Sequence, residues 1–401
     1  MDIAIFTLTS ALHDPRATEA STNEFLNKLG LSRDCLMGDD YRTYGSHALD
    51  LIYLRTGGTE GGFLELLPRL VSQSSKPFYL LTSGESNSLA ASLEILSYLR
   101  SQGLRGEVLH GQPEFVRRRI DLLTTVGKAL RKLKGMRLGV IGRPSDWLIA
   151  SQADRELVRQ RLGIELVDIG IDELLQAVQA TTPPPVTNEL KSKAQTAQVV
   201  ESLGMALRIH KALEQVVSQH GLCGFTLRCF DLLTAVRNTG CLALALLNAR
   251  GTVAGCEGDV PAMLSMAIGQ ALVGEPGFQA NPSRINPDTG QILLAHCTIP
   301  LSMVKRYELD THFESGLGVG VRGFMAEGPV TIFKVAGNLK RHFAEEGILI
   351  SNPAYPTLCR TQQVIQLRDQ HRMSYFLTDP IGNHHIVLPT HCKAQLDEML
   401  N

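Results

Sequence analysis

Between Ile3 and His110 the chain alternates apolar runs with loops of small polar residues. This rhythm restricts the fold more than any other feature of the sequence. Ile3–Thr9, Ala48–Leu54 and Lys76–Thr82 read as strands, Leu89–Ser101 has apolar residues at helical spacing, and Gly106–His110 reads as a further strand. Strand, small-polar loop, helix and strand in that order form the βαβ unit of a parallel sheet, whose ligands sit outside the carboxyl ends of the strands. Two loops fall there, Thr56-Gly57-Gly58-Thr59-Glu60-Gly61-Gly62 and Ser83-Gly84-Glu85-Ser86-Asn87-Ser88. Neither has the spacing of a dinucleotide fingerprint or a P-loop, so a nucleotide-binding reading gains no support. Each is read either as turn chemistry or as substrate contact through Glu60 and Asn87.

The rhythm then restarts. Phe115–Leu133 is a basic amphipathic helix whose charges form a solvated face, and Gly135 ends it. Met136–Ile141, Asp154–Leu162 and Ile164–Ile169 repeat strand, helix and strand, and Asn188–His220 is one or two helices. Beyond Pro300 helical periodicity gives way to short candidate strands: Val319–Phe324, Val330–Val335, Ile348–Ser351, Gln362–Gln366 and Ser374–Leu377. Turn residues recur between them, and Lys393–Leu400 reads as a closing helix. The expectation is an α/β chain of three domains: two Rossmann-like domains with parallel sheets over 1–134 and 135–274, then a β-rich, barrel-like domain over 275–401.

Charge and cysteine usage narrow the function. A formal charge of -1 over 401 residues gives no electrostatic case for nucleic acid or an anionic membrane surface. The N-terminal stretch lacks a basic n-region and a long apolar run. The eight cysteines have no CxxC spacing. Several lie in apolar runs, where a free thiol behaves as a small hydrophobe, so thiolate metal ligation is not expected and a cytoplasmic location is.

The chemistry concentrates between Gly251 and Pro300. A small-residue run ends in Cys256-Glu257-Gly258-Asp259, Pro261 opens an apolar helix, and a later apolar strand delivers His296. Burying these titratable groups costs several kcal/mol unless something pairs with them, and a divalent cation is one such partner. Gly382-Asn383-His384-His385 is embedded between apolar segments in the same way, and the two places are expected to converge on a metal site. Taken singly, Asp259 also fits a helix N-cap, His296 a hydrogen-bonded core histidine, and His384-His385 a loop pair. His312, His342, His371 and His391 have no motif around them and are read as structural.

Cys256-Glu257-Gly258-Asp259-Val260-Pro261, Leu294-Ala295-His296-Cys297-Thr298-Ile299-Pro300 and Gly382-Asn383-His384-His385 together resemble the L-fucose and L-arabinose isomerase superfamily, and more closely its shorter fucose-isomerase-like members. The Thr56–Glu60, Ser86–Ser88 and Gly142–Trp147 stretches are similar too. The resemblance implies Mn²⁺-dependent (or other divalent-metal) aldose–ketose isomerisation, an intramolecular oxidoreduction of a sugar. It also implies a homo-oligomer, a trimer or hexamer, with sites where subunits meet.

In this resemblance Glu257 matches a glutamate that is both metal ligand and acid/base, and His296 and His385 match histidine ligands, with His384 the rival of His385. The second carboxylate of the family falls at Asn281, which can coordinate through oxygen but cannot take up a proton at neutral pH. Asp259 or Glu314 would then supply the second carboxylate. Arg143, Trp147, Asn383 and His384, with Glu60 and Asn87, are candidate substrate contacts, the Trp147 indole stacking on a sugar face. Two further readings follow from Asn281: a sugar-binding or regulatory protein that kept the fold, or an isomerase for an unusual, for example sulfonated, sugar. A sulfonate calls for extra cations, and Arg55, Arg228 and Arg322 are the candidates.

Overall fold

The computed structural model describes residues 2–31 and 35–401 and divides into two compact units, Met1–Arg131 and Lys132–Asn401. In the first unit the order is β1 (Ile3–Leu8), α1 (Pro15–Lys28), β2 (Cys35–Gly38), β3 (Leu49–Leu54), α2 (Glu60–Gln73), β4 (Phe78–Leu81), α3 (Ser88–Ser101), β5 (Gly106–Leu109) and α4 (Pro113–Leu133). The five strands form a parallel sheet in the order β2-β1-β3-β4-β5.

Because side chains alternate along a strand, this sheet has two apolar faces, and helices cover both. Ile3, Ile5, Leu49, Leu51 and Tyr53 meet Leu26 of α1, Leu29 at its C-cap, and Val116, Ile120 and Leu123 of α4. Ala4, Phe6, Ile52 and Leu54 meet Phe63, Leu67 and Leu70 of α2 and Ile95 and Leu99 of α3. The strand β2 carries no alternating run long enough to be read from sequence.

In the second unit come β6 (Arg137–Ile141), α5 (Arg155–Leu162), β7 (Glu165–Ile169), α6 (Ile171–Ala180), α7 (Asn188–Lys193), α8 (Ala197–Gln219), β8 (Gly224–Leu227), α9 (Asp231–Val236), α10 (Cys241–Ala249), β9 (Val253–Cys256) and α11 (Val260–Val273). The strands β7-β6-β8-β9 form a parallel sheet. Ile141, Phe225, Leu227 and Ala254 pack with Leu174 of α6, Ile209 and Leu213 of α8, and Leu244 of α10.

The same unit continues through β10 (Phe278–Asn286), β11 (Gln291–His296), β12 (Val304–Asp310), β13 (Gly320–Met325), β14 (Gly328–Val335), β15 (His342–Ser351), β16 (Thr361–Leu367), α12 (Ser374–Thr378), β17 (His385–Leu388) and α13 (Lys393–Leu400). Six of these strands close an antiparallel barrel in the order β10-β11-β16-β15-β14-β17, and β12 and β13 form a separate pair. The protein is thus α/β with two parallel sheets and a β-barrel. Segments 135–274 and 275–401 lie within one compact unit.

Ser374–Leu377, expected as a short strand, is helical instead. Tyr375 stacks on Phe343 with ring centroids 3.9 Å apart, and Phe376 meets the same ring edge-on. Tertiary aromatic packing here outweighs local β-propensity.

The helix α11 seats the barrel against the sheet. The Ser265 hydroxyl accepts from Val335 N–H of β14 at 3.0 Å. A Cβ at Gly269 would come within 2.5 Å of the Leu388 Cδ2 methyl, so glycine lets the helix approach β17 without displacing that side chain. Among the described residues, no helix is long and apolar enough to cross a membrane.

Candidate metal centre

The centre begins at the carboxyl end of β9. This strand lies at the edge of its sheet, and two buried carboxamides occupy its outer backbone groups. Asn248 donates to Ala254 O and accepts from Ala254 N–H, both at 2.8 Å. Gln279, from β10 of the barrel, accepts from Cys256 N–H at 2.8 Å and donates to Cys256 O at 3.2 Å.

The backbone then reverses through Glu257 and Gly258, both left-handed at φ 63° and 71°. A non-glycine residue held there costs roughly 1–3 kcal/mol and persists only where its surroundings over-determine it. They do so here: Ser145 N–H donates to Glu257 O at 2.9 Å, and Gly258 N–H donates to Leu227 O at 3.0 Å. A Cβ on Gly258 would sit 2.5 Å from Arg143 O. Asp259 caps α11, accepting from Ala262 N–H at 2.8 Å, with Pro261 in the first turn.

The turn aims the Glu257 side chain at two imidazoles. Its Oε1 lies 3.5 Å from His296 Nε2 and 3.4 Å from His384 Nε2, while its Oε2 accepts from the Trp147 indole N–H at 2.7 Å. Ligand atoms of Glu257, His296 and His384 all lie within 4.8 Å of one another, and all three residues are buried. Each imidazole is anchored through its other nitrogen. His384 Nδ1–H donates to Asp259 Oδ2 at 2.9 Å, and His296 Nδ1 bonds the Thr298 hydroxyl at 3.1 Å. Anchoring at Nδ1 fixes ring orientation and presents Nε2 to the shared point.

Charge is balanced by a second buried layer. Asp259 is fully buried, and both of its oxygens lie 3.3 Å from Lys334 Nζ of β14, itself 1% exposed. Burial alone would raise the pKa of Asp259, but Lys334 and His384 hold it well below the usual carboxylate range. Burial likewise opposes ionisation of Glu257, and His384 and His296 overcome it, keeping that carboxyl far below its ordinary value. Burial pulls His384 down, and the two carboxylates raise it to about 9. Burial lowers His296, so it presents a neutral ring.

The arrangement fits a divalent cation. His384 Nε2 and Asn281 Oδ1 are buried and without hydrogen-bond partners among the described residues. Asn281, Glu257 and His296 line one cavity of about 470 Å³ including its mouth. A carboxylate oxygen and two imidazole nitrogens, with an amide oxygen at hand, form a mixed donor set suited to a borderline or hard divalent ion.

The residues expected from sequence have the following places. Asp259 is sealed beneath the cluster, fully buried as the partner of Lys334 and His384. His384, and not the expected His385, belongs to the buried group with Glu257 and His296. Successive side chains at β17 face opposite ways, so His384 meets Glu257 and His385 turns into the rings of Phe343, Tyr375 and Phe376. There the Tyr375 hydroxyl donates to His385 Nε2 at 2.9 Å, His385 Nδ1–H donates to Asn383 O at 3.0 Å, and burial lowers His385 to about 3.

Trp147 holds Glu257 by its N–H and sets its ring edge-on against Phe230 at 4.8 Å. Arg143 pairs with Asp146 at the surface, its backbone carbonyl lying against Gly258. Glu60 opens α2 in the first unit. Asn87, at φ 60°, precedes α3, and Gly57 N–H donates to Ser86 O at 2.7 Å, tying the two polar loops together.

Sequence reasoning missed His312, Lys334 and Gln279. His312 and Glu314 line the cavity beside Glu257. Burial brings His312 down to about 4, so its ring is neutral at physiological pH. The only hint of this role was its position two residues before Glu314. Lys334, inside the apolar run Val330–Val335, was a legible signal, since a lysine in a buried strand demands a counter-charge. Gln279 offered no signal.

No family model matches the chain. It is similar to a protein described as sulfoquinovose isomerase, from Clostridium sp. (strain MSTE9), being 26% identical over 257 residues. The match covers 62% of this chain and 56% of the relative, so the chain spans little more than half the relative's length. The likeness is thus to a sugar isomerase, and this chain carries in Glu257, His296 and His384 a buried group that could bind a divalent metal.

Proposed function

We propose that this chain is a metal-dependent sugar isomerase that interconverts an aldose and a ketose. The observation that carries the reading is the convergence of two anchored Nε2 atoms on one carboxylate oxygen at the wall of a cavity. Glu257, His296 and His384 would hold the ion, with Asn281 Oδ1 as a further donor. A divalent cation such as Mn²⁺ supplies Lewis acidity for the negative charge that develops on the substrate oxygens.

The protein's own residues do the rest. Trp147 keeps Glu257 in one rotamer, and Asp259 and Thr298 keep the imidazoles in theirs. Phe230 and Leu233 offer an apolar wall to the carbon face of a sugar. Isomerisation moves a proton between neighbouring carbons and another between their oxygens. Asn281 cannot carry a proton, and Asp259 is enclosed. Glu314 is the remaining carboxylate on the cavity wall and takes the carbon proton, while neutral His312 serves the oxygens.

The relative's name favours a sulfonated sugar as substrate. Of the candidate cations, Arg228 is engaged by Asp146 and Asp231, and Arg322 by Glu308 and Asp310. A homo-oligomer, trimer or hexamer, belongs to the same proposal, and sedimentation of a fully active monomer would exclude it.

The deciding experiment is turnover with added Mn²⁺ of sulfoquinovose, L-fucose and L-arabinose, alongside metal titration. Turnover of at least one sugar, lost in Glu257→Gln and in His384→Ala but kept in His385→Ala, supports the proposal. Metal affinity unchanged in a Glu257→Ala/His296→Ala/His384→Ala chain would overturn it. Sugar binding without turnover would favour the second reading, a binding protein, for which the uncharged Asn281 is the argument.

A further inference from the structure

Five of the chain's eight cysteines, Cys229, Cys241, Cys256, Cys297 and Cys359, line the same cavity as Glu257 and His296. The candidate metal cluster does not account for them, since it contains no thiol. Two of the five are already in contact: Cys229 Sγ and Cys256 Sγ lie 3.1 Å apart, one thiol donating to the other. The parallel sheet produces this contact. Cys256 ends β9 opposite Leu227 of β8, and Cys229 follows Leu227 by two residues. Neighbouring strands run ~4.8 Å apart, within the ~4.4–6.8 Å between Cα atoms that a disulfide spans. Both residues are buried within the protein, yet both face the cavity, whose volume of about 470 Å³ includes an open mouth.

We infer that Cys229 and Cys256 are a redox-responsive modification site: a hydroperoxide entering the cavity joins them as a disulfide, and the new bond displaces Glu257. Cys229 is the more exposed of the two, at 6% against 2%, and meets the oxidant first. Its sulfur attacks one peroxide oxygen, the O–O bond breaks, and the thiol proton leaves with the departing hydroxide as water. The Cys256 sulfur then attacks the resulting sulfenic acid, forming the S–S bond and releasing a second water. Both sulfurs are oxidised and both peroxide oxygens reduced, so the step needs no other reactant.

Closing a 3.1 Å contact to a bond of about 2.05 Å draws the sulfurs together by roughly 1 Å. Gln279 pins the Cys256 backbone, and Cys229 O accepts from Leu232 N–H at 3.1 Å. The movement therefore passes to the next residue, Glu257, whose left-handed backbone persists only while its surroundings hold it. Trp147, the chain's single tryptophan, donates its indole N–H to Glu257 Oε2 at 2.7 Å and so reports the displacement. Any effect on metal binding rests on the reading of Glu257 as a ligand; the bond and its displacement of Glu257 do not.

The test uses the full-length chain, treated with EDTA so that no metal takes part, and hydrogen peroxide as the oxidant. Peptide mapping by mass spectrometry should find Cys229 and Cys256 in one linked species lacking two hydrogens. Tryptophan emission should shift in step with that link, and dithiothreitol should reverse both. Cys229→Ser and Cys256→Ser should each abolish the link and the shift, whereas Cys359→Ser should keep both. The inference is overturned if no link forms or if only other cysteines become linked. It is also overturned if the Cys229–Cys256 bond leaves the emission unchanged, or if the shift persists in Cys229→Ser. Because every readout is taken without metal, a chain that binds no ion would refute the proposed function and leave this result standing.

Discussion

Asp259→Asn removes one charge from the interior while preserving almost everything else about the residue. Asparagine is as good an N-cap as aspartate, so the bond from Ala262 N–H survives, and the side-chain volume is nearly the same. What changes is the environment of Lys334 Nζ, which lies 3.3 Å from both carboxylate oxygens and is 1% exposed. At that separation, and with an effective dielectric constant of about 20, the attraction being removed is about 5 kcal/mol. Breaking a buried pair by deleting one partner typically costs about 3–5 kcal/mol, because the survivor stays desolvated. For a unit of this size that corresponds to a fall in melting temperature of roughly 6–20 °C.

Burial already lowers the pKa of Lys334, so part of the loss can be relieved by deprotonation, and the destabilisation should shrink as pH rises. Scanning calorimetry at two pH values measures both effects. The control is Asp259→Asn/Lys334→Met, which removes the pair together and should recover most of the lost stability. A single variant melting within about 2 °C of the parent, or a double variant no better than the single, would refute the assignment of Lys334 as a charge that depends on Asp259.

Other expectations are independent of that pair. Asn281→Asp adds an anionic oxygen to the cavity and a group able to take a proton. Metal binding should tighten, and aldose–ketose turnover should rise toward the 10²–10⁴-fold range that general-base assistance brings, and steady-state kinetics with Mn²⁺ will show whether it does. Trp147→Phe keeps the ring against Phe230 but deletes the N–H donor to Glu257, and should weaken metal binding by about 10-fold in calorimetry. Because the carboxylates raise His384 to about 9, an ion binding below that pH must displace its proton, so apparent affinity should climb with pH up to about 9 and then level. In the metal-free protein the sign reverses. The raised pKa stabilises the fold fully below the unfolded value of about 6.5, and that contribution is lost as pH rises through about 9, as melting curves across the range will record.

The parallel sheets were legible because apolar runs such as Leu49–Leu54 are followed by small polar loops, a pattern that survives without tertiary information. The barrel was harder. The run Val304–Asp310 mixes charged with apolar residues, and Ser374–Leu377 looks like a strand until its rings find Phe343. In the candidate site, Glu257 and His296 stood out as titratable groups inside apolar segments. Which of His384 and His385 faces Glu257 is a question of strand phase, and a shift of one residue exchanges their environments. Asp259 and Lys334 lie 75 residues apart in the chain, and only closure of the barrel brings them together.

The cluster draws Glu257 from the end of a sheet strand, His296 from the second barrel strand and His384 from just before the last. A partly folded chain with the sheet formed but the barrel open would possess none of the three in mutual reach. Ion capture would therefore mark the final stage of maturation, and an ion at a hundred times its dissociation constant would add about 2.7 kcal/mol against reopening. Such an ion would work as a clasp, fastening shut the protein that formed its seat.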